Sequence, residues 1–88
     1  MNDLYIHPHA YKHGLSESDV FYAWKNFLRK QHRKSPEEDT ILTVGYNKSG
    51  KLIQMVGRQT QDGILIYHAM SPPTRSVLIE LGLKGDKK

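Results

Sequence analysis

The sequence predicts an α+β protein: an antiparallel sheet of three to four strands with its helices packed on one face. Three observations lead there. An apolar stripe at helical spacing runs through Val20, Phe21, Trp24, Phe27 and Leu28. Three strand-like runs follow, Thr40 to Tyr46, Leu52 to Arg58 and Ile64 to Met70, separated by the turn words Asn47-Lys48-Ser49-Gly50 and Asp62-Gly63. A second, shorter stripe of Val77, Leu78 and Leu81 ends before Gly82. Helix, three strands, helix is most simply packed as one sheet with helices on a single side.

Taken in order, Asp3 to Ile6 suits a short strand that can join the sheet as its fourth member. Pro8 to His13 suits one or two helical turns, with Pro8 near the first position and Gly14 as a left-handed stop. The main helix is expected to start at Ser16, whose hydroxyl and the Asp19 carboxylate form a variant of the capping box. It is expected to run to Lys34, because Ser35 precedes Pro36 and resists the helical region. Tyr22, Lys25, Arg29 and His32 would then lie away from its apolar stripe, and Trp24, Phe21 and Phe27 would be core, not a base-stacking set. The last helix is expected to be capped by Ser71, with Pro72 in its first position. Residues 1–83 read as one domain and 84–88 as a polar tail.

Hairpin register decides what the sheet faces carry. A two-residue Asp62-Gly63 loop sets Arg58 opposite Tyr67, on one face with Leu52, Gln54, Val56 and Leu65. Ile53, Met55, Ile64, Ile66, His68 and Met70 then share the more apolar face, under the helices. The face with Arg58, Tyr67 and Gln54 would be the open one. A three-residue loop would instead oppose Arg58 to His68.

The totals narrow the class. The chain has 88 residues and no cysteine, which leaves one modest core and neither a disulfide framework nor a thiolate metal site. No apolar run nears the ~18 residues of a membrane span, and the N-terminal MNDLYIHPHA lacks a signal-peptide pattern. A soluble, cytoplasmic protein is the expectation. The formal net charge is +4 and the pI about 9.4. Lys25, Arg29, Lys30, Arg33 and Lys34 crowd one segment, and Glu37, Glu38 and Asp39 follow at once. Such a cluster is either a solvated face favouring a helix C-terminus or a surface for anionic partners.

Several words together resemble a known family. Lys12-His13-Gly14 runs into the capped segment Leu15-Ser16-Glu17-Ser18-Asp19-Val20; TILTVGYNKSGKLIQMV spans Thr40 to Val56; ILIYHAMSP, from Ile64 to Pro72, leads into a final helix. In this order the chain resembles the BrnT-like toxins of bacterial type II toxin–antitoxin systems. The resemblance implies a RelE-like fold, RNA cleavage that arrests translation, and a cognate antitoxin encoded by an adjacent gene as partner. One word departs. Where such toxins carry an arginine-rich Ala-Arg-Arg, this chain has Ala69-Met70-Ser71-Pro72-Pro73, with Arg75 the nearest cation.

Metal-independent RNA cleavage needs a base for the 2′-hydroxyl, an acid for the leaving 5′-oxygen and a cation for the phosphate. With the resemblance, His13 and Tyr67 are the acid–base candidates, Lys12 stands beside His13, and Arg58 is the phosphate ligand. Arg75, Lys25 and Arg29 are further substrate-binding candidates. Each has a plain alternative: Lys12 and His13 as a helix end, Arg58 as a strand-end arginine, Tyr67 and His68 as cross-strand packing. Arg75, in a helix's first turn, opposes the dipole and so suits an anion. His9 and His13 are four apart, but Pro8 interrupts the first pair of His7-x-His9 and no fourth ligand is near, so no metal and no cofactor are expected. The competing expectation is a catalytically inactive module that binds an acidic protein or nucleic acid.

Overall fold

The computed structural model describes residues 3–11, 14–34 and 39–83, with the side chains of Asp3, His9 and Tyr11 left out. Strand β1 (Asp3–Ile6) leads into a single 3-10 turn at Pro8–Tyr11. Helix α1 (Glu17–Lys25), strands β2 (Phe27–Arg33), β3 (Thr40–Tyr46), β4 (Leu52–Thr60) and β5 (Gly63–Met70), and helix α2 (Arg75–Glu80) follow. The sheet is five-stranded, ordered β1-β5-β4-β3-β2. β2 to β5 form an antiparallel meander, and β1 joins β5 in parallel, so the sheet is mixed.

The expected α+β class holds, with more strands than the three or four foreseen. The extra strand comes from the expected long helix. α1 stops at Lys25, where the Asn26 side chain donates to the Tyr22 carbonyl at 2.9 Å and its backbone N–H to the same oxygen at 3.0 Å. Phe27 to Arg33 then pair with β3. Helical spacing of Phe27 and Leu28 is worth a few tenths of a kcal/mol per residue in propensity. Left unpaired, the edge of β3 would forgo a whole ladder of hydrogen bonds, and that pairing wins. Phe27 and Leu28 are consequently exposed, not core.

The start of α1 follows its sequence closely. Asp19 N–H donates to Ser16 Oγ at 3.1 Å, and Ser16 N–H donates to Asp19 Oδ2 at 3.0 Å. Asn47 Nδ2 donates to Asp19 Oδ1 at 3.1 Å, tying the helix start to the β3–β4 turn. The Ser16 backbone donor, joined by Asn47, holds the Asp19 carboxyl below its ordinary range. In that turn Asn47 Oδ1 accepts from Ser49 and Lys51 N–H, and Gly50 takes the positive φ of 86°.

The helices lie on opposite faces, not on one. Side chains alternate along a strand, so Ile53 and Met55 face one way and Leu52 and Val56 the other. Ile53, Met55, Ile66 and Ala69 pack with Val20 and Ala23 of α1, with Ala10 and Leu15, and with partly buried Trp24. Leu42 and Val44 pack with Val77 of α2, with Leu81 at its C-cap, and with Leu52 and Val56. A sheet apolar on both sides needs a cover on each. The last helix is capped by Thr74, whose hydroxyl accepts from Val77 N–H, not by Ser71. Ser71 instead donates its hydroxyl to the Leu52 carbonyl.

Candidate functional site

β4 and β5 meet through a two-residue loop, but it is Gln61-Asp62, with Thr60 paired to Gly63. The Thr60 hydroxyl accepts from Asp62 N–H at 3.2 Å and donates to the Gly63 carbonyl at 2.8 Å, closing the turn one residue early. Arg58 therefore stands opposite Leu65, neither Tyr67 nor His68. Gly57 pairs with Ile66 and Val56 with His68, so Tyr67 is the extra residue of a β-bulge. The bulge breaks the alternation expected for β5. Ile66 stays on the α1 face, His68 and Met70 move to the α2 face, and Ala69 fills the α1 core in their place.

The α2 face gathers the polar groups. Arg33, Thr40, Arg58 and Leu65 form one row across β2, β3, β4 and β5. Arg33 donates to Glu80 at the end of α2 through Nε at 3.0 Å and Nη2 at 2.7 Å, a bidentate pair. Its hydrogen bonds to Glu80 raise the Arg33 pKa, and the Tyr67 phenol lies near enough to add to this electrostatically. The same pairing holds the Glu80 carboxyl below its ordinary range. At the other end of the helix, Gln54 Oε1 accepts from Thr74 N–H at 2.8 Å, and Gln54 Nε2 lies 3.5 Å from His68 Nε2. α2 thus crosses this face from Gln54 to Arg33, pinned at both ends. Gln54, expected on an open face, is buried beneath it.

Of the sequence-predicted residues, Arg58 and Tyr67 share this face, although not opposite one another, and His68 joins them. Arg75 opens α2, at the end away from Arg33 and Glu80. Arg29 of β2 pairs with Val44 of β3, and its Nη1 donates to the Leu28 carbonyl. Lys25 is separate: it sits in the last turn of α1, 5.9 Å over the Phe21 ring, beside a shallow groove with Tyr22 and Lys48. The Lys25-to-Lys34 cluster is therefore shared between a helix and an edge strand and does not form one helix face. Lys12 and His13 lie outside the described residues. Arg33 and Glu80 were missed as a site pair; they stand 47 positions apart, and no spacing rule joins them. Among the described residues no group of three or more metal-ligating side chains comes together; the His9 side chain and His13 fall outside that statement. No helix of the described residues is long and apolar enough to cross a membrane.

Compared with known proteins, the chain matches no family model, no curated protein and no solved structure.

Proposed function

We propose that the chain is a RelE-like, BrnT-like toxin that binds RNA on its α2 face and cleaves it without a metal, arresting translation in the cytoplasm until a cognate antitoxin binds it. The observation that carries this reading is the convergence of Arg33, Arg58, Tyr67 and His68 on one face of the sheet. Guanidinium groups match the phosphate, and a phenol and an imidazole are groups that transfer protons once tuned. In the reaction, the 2′-oxygen loses its proton to the base and attacks phosphorus; the 5′-oxygen leaves with a proton from the acid. Arg58 would hold the charged phosphate, with Tyr67 and His68 beside it. Lys12 and His13 enter only through the family resemblance. The α+β class and the antiparallel meander support the RelE-like assignment; the fifth strand, the parallel β1 and the helices on opposite faces depart from the one-sided sheet expected of it.

A second reading, an inactive module binding an acidic protein or nucleic acid, is favoured by the word that departs from the family. Ala69 is wholly buried and the Ser71 hydroxyl is spent on the Leu52 carbonyl, so this stretch serves the fold. The test is end-labelled RNA incubated in EDTA with the native chain and with Arg58→Ala. The expected outcome is cleavage that the variant loses by roughly a hundredfold. A folded native chain that cuts RNA neither alone nor in a translation assay would sink the ribonuclease reading and leave the module.

A further inference from the structure

The two edges of the sheet are unlike. β1 has four residues and runs straight into the 3-10 turn. β2 has seven, every one exposed, and among the described residues no strand pairs with its outer side. Such an edge presents a row of backbone donors and acceptors ready for another strand. Its side chains carry a single sign: Arg29 and Lys30 bear positive charge, Arg33 does too but is held by Glu80, and no residue of β2 is acidic. Phe27 and Leu28, about two-fifths exposed, add an apolar foothold at its start, with the Lys30 ammonium 4.8 Å over the Phe27 ring. Cations on an edge strand also guard against self-pairing, and here they select the occupant. A second copy docked antiparallel about Lys30 would set Lys30 against Lys30, which is destabilising. An acidic strand in the same place would set carboxylates beside Lys30 or Arg29 instead, according to the face they occupy.

We propose that the outer edge of β2 is a docking strand for an extended acidic segment of a partner protein, which adds to the sheet as a sixth strand. Backbone hydrogen bonds to β2 supply the register, and carboxylates that alternate along the added strand share one face, where they meet Lys30. Apart from Arg33, which this inference does not use, the edge shares no residue with the α2-face site, so the inference stands whether or not the chain cleaves RNA.

The probe is a capped ten-residue peptide alternating valine and glutamate, followed by amide NMR and hydrogen exchange on the whole chain. Expected is saturable binding that perturbs β2 and slows exchange of those β2 amides that do not pair with β3. Two further peptides, N-methylated on the odd or the even residues, separate strand addition from plain charge attraction: only one of the two should bind, because only alternate N–H groups face β2. Lys30→Glu with His32→Glu, both exposed and so compatible with folding, should weaken the acidic peptide about tenfold or more. Equal binding of both methylated peptides, perturbation away from β2, or a preference of β2 for single-stranded RNA over the peptide would each overturn the proposal. So would a dimer that forms through β2 in the absence of peptide.

Discussion

Beneath α1 the sheet offers Ile53, Met55, Ile66 and Ala69, all fully buried; beneath α2 it offers Leu42 and Val44, and then turns polar at Gln54, Arg58, Tyr67 and His68. The same strands supply both faces, so the difference comes from the covers. α1 has nine residues and lies close: a Cβ on Gly45 would collide with the Ala23 carbonyl, and one on Gly57 would come 3.1 Å from the Trp24 ring. α2 has six residues, contributes Val77 with Leu81 at its C-cap, and is held at its ends by Gln54 and Arg33. A close, long cover demands apolar filling, whereas a short, pinned one leaves sheet surface for polar side chains.

The largest blow to this contrast should come from Gly45→Val. The new side chain has no space under the α1 backbone, and a loss of several kcal/mol, about 3 or more, is expected in urea denaturation. A variant as stable as the native chain would mean that α1 does not sit where Gly45 permits. Next, Met55→Ala should cost about 2–5 kcal/mol, and Val77→Ala on α2 clearly less, because Val77 loses fewer buried atoms. Equal costs would erase the difference between the covers.

Thr43 sharpens the comparison from the other side. It points to the α1 face, fully buried, and its Oγ1 has no hydrogen-bond partner. Thr43→Val keeps the shape and removes the unmet hydroxyl, so a gain of about 1 kcal/mol is expected by thermal or urea unfolding.

The smallest effect concerns the pin of α2. Arg33 and Glu80 are both substantially exposed, so Glu80→Gln should cost only about 0.5–1 kcal/mol. The sign of its pH dependence is set by the lowered Glu80 pKa. The folded state binds this proton less readily than the unfolded chain, so the contribution is full above the ordinary glutamate pKa and is lost as pH falls through the lowered one. Urea midpoints taken across the acid range should therefore converge for native and Glu80→Gln chains at low pH. Asp19, also lowered, titrates in the same direction in both proteins and cancels from the difference.

Much of the molecule was legible locally. The Ser16–Asp19 cap, the positive φ of Gly14, Gly50 and Gly82, and the spans Thr40 to Tyr46 and Leu52 onward are where the residue pattern placed them, because caps, turns and alternation act within a few positions. The site was legible in part. Arg58, Tyr67 and His68 were named, yet their mutual arrangement was not, since the Thr60 hydroxyl moved the loop by one residue and the Tyr67 bulge moved half a strand to the other face.

What the amino-acid pattern determined by itself is the α+β class, the meander and the ends of its turns, all consequences of short-range sterics and hydrogen bonding. Only the tertiary structure decided that Phe27 to Arg33 is an edge strand and not a helix, that the two helices take opposite faces, and that Arg33 meets Glu80. Each of those rests on a partner far along the chain: the unpaired edge of β3, the second apolar face of the sheet, a carboxylate 47 residues away. Local preference differs between the alternatives by tenths of a kcal/mol per residue, and long-range pairing and burial by far more, so the distant partner prevails.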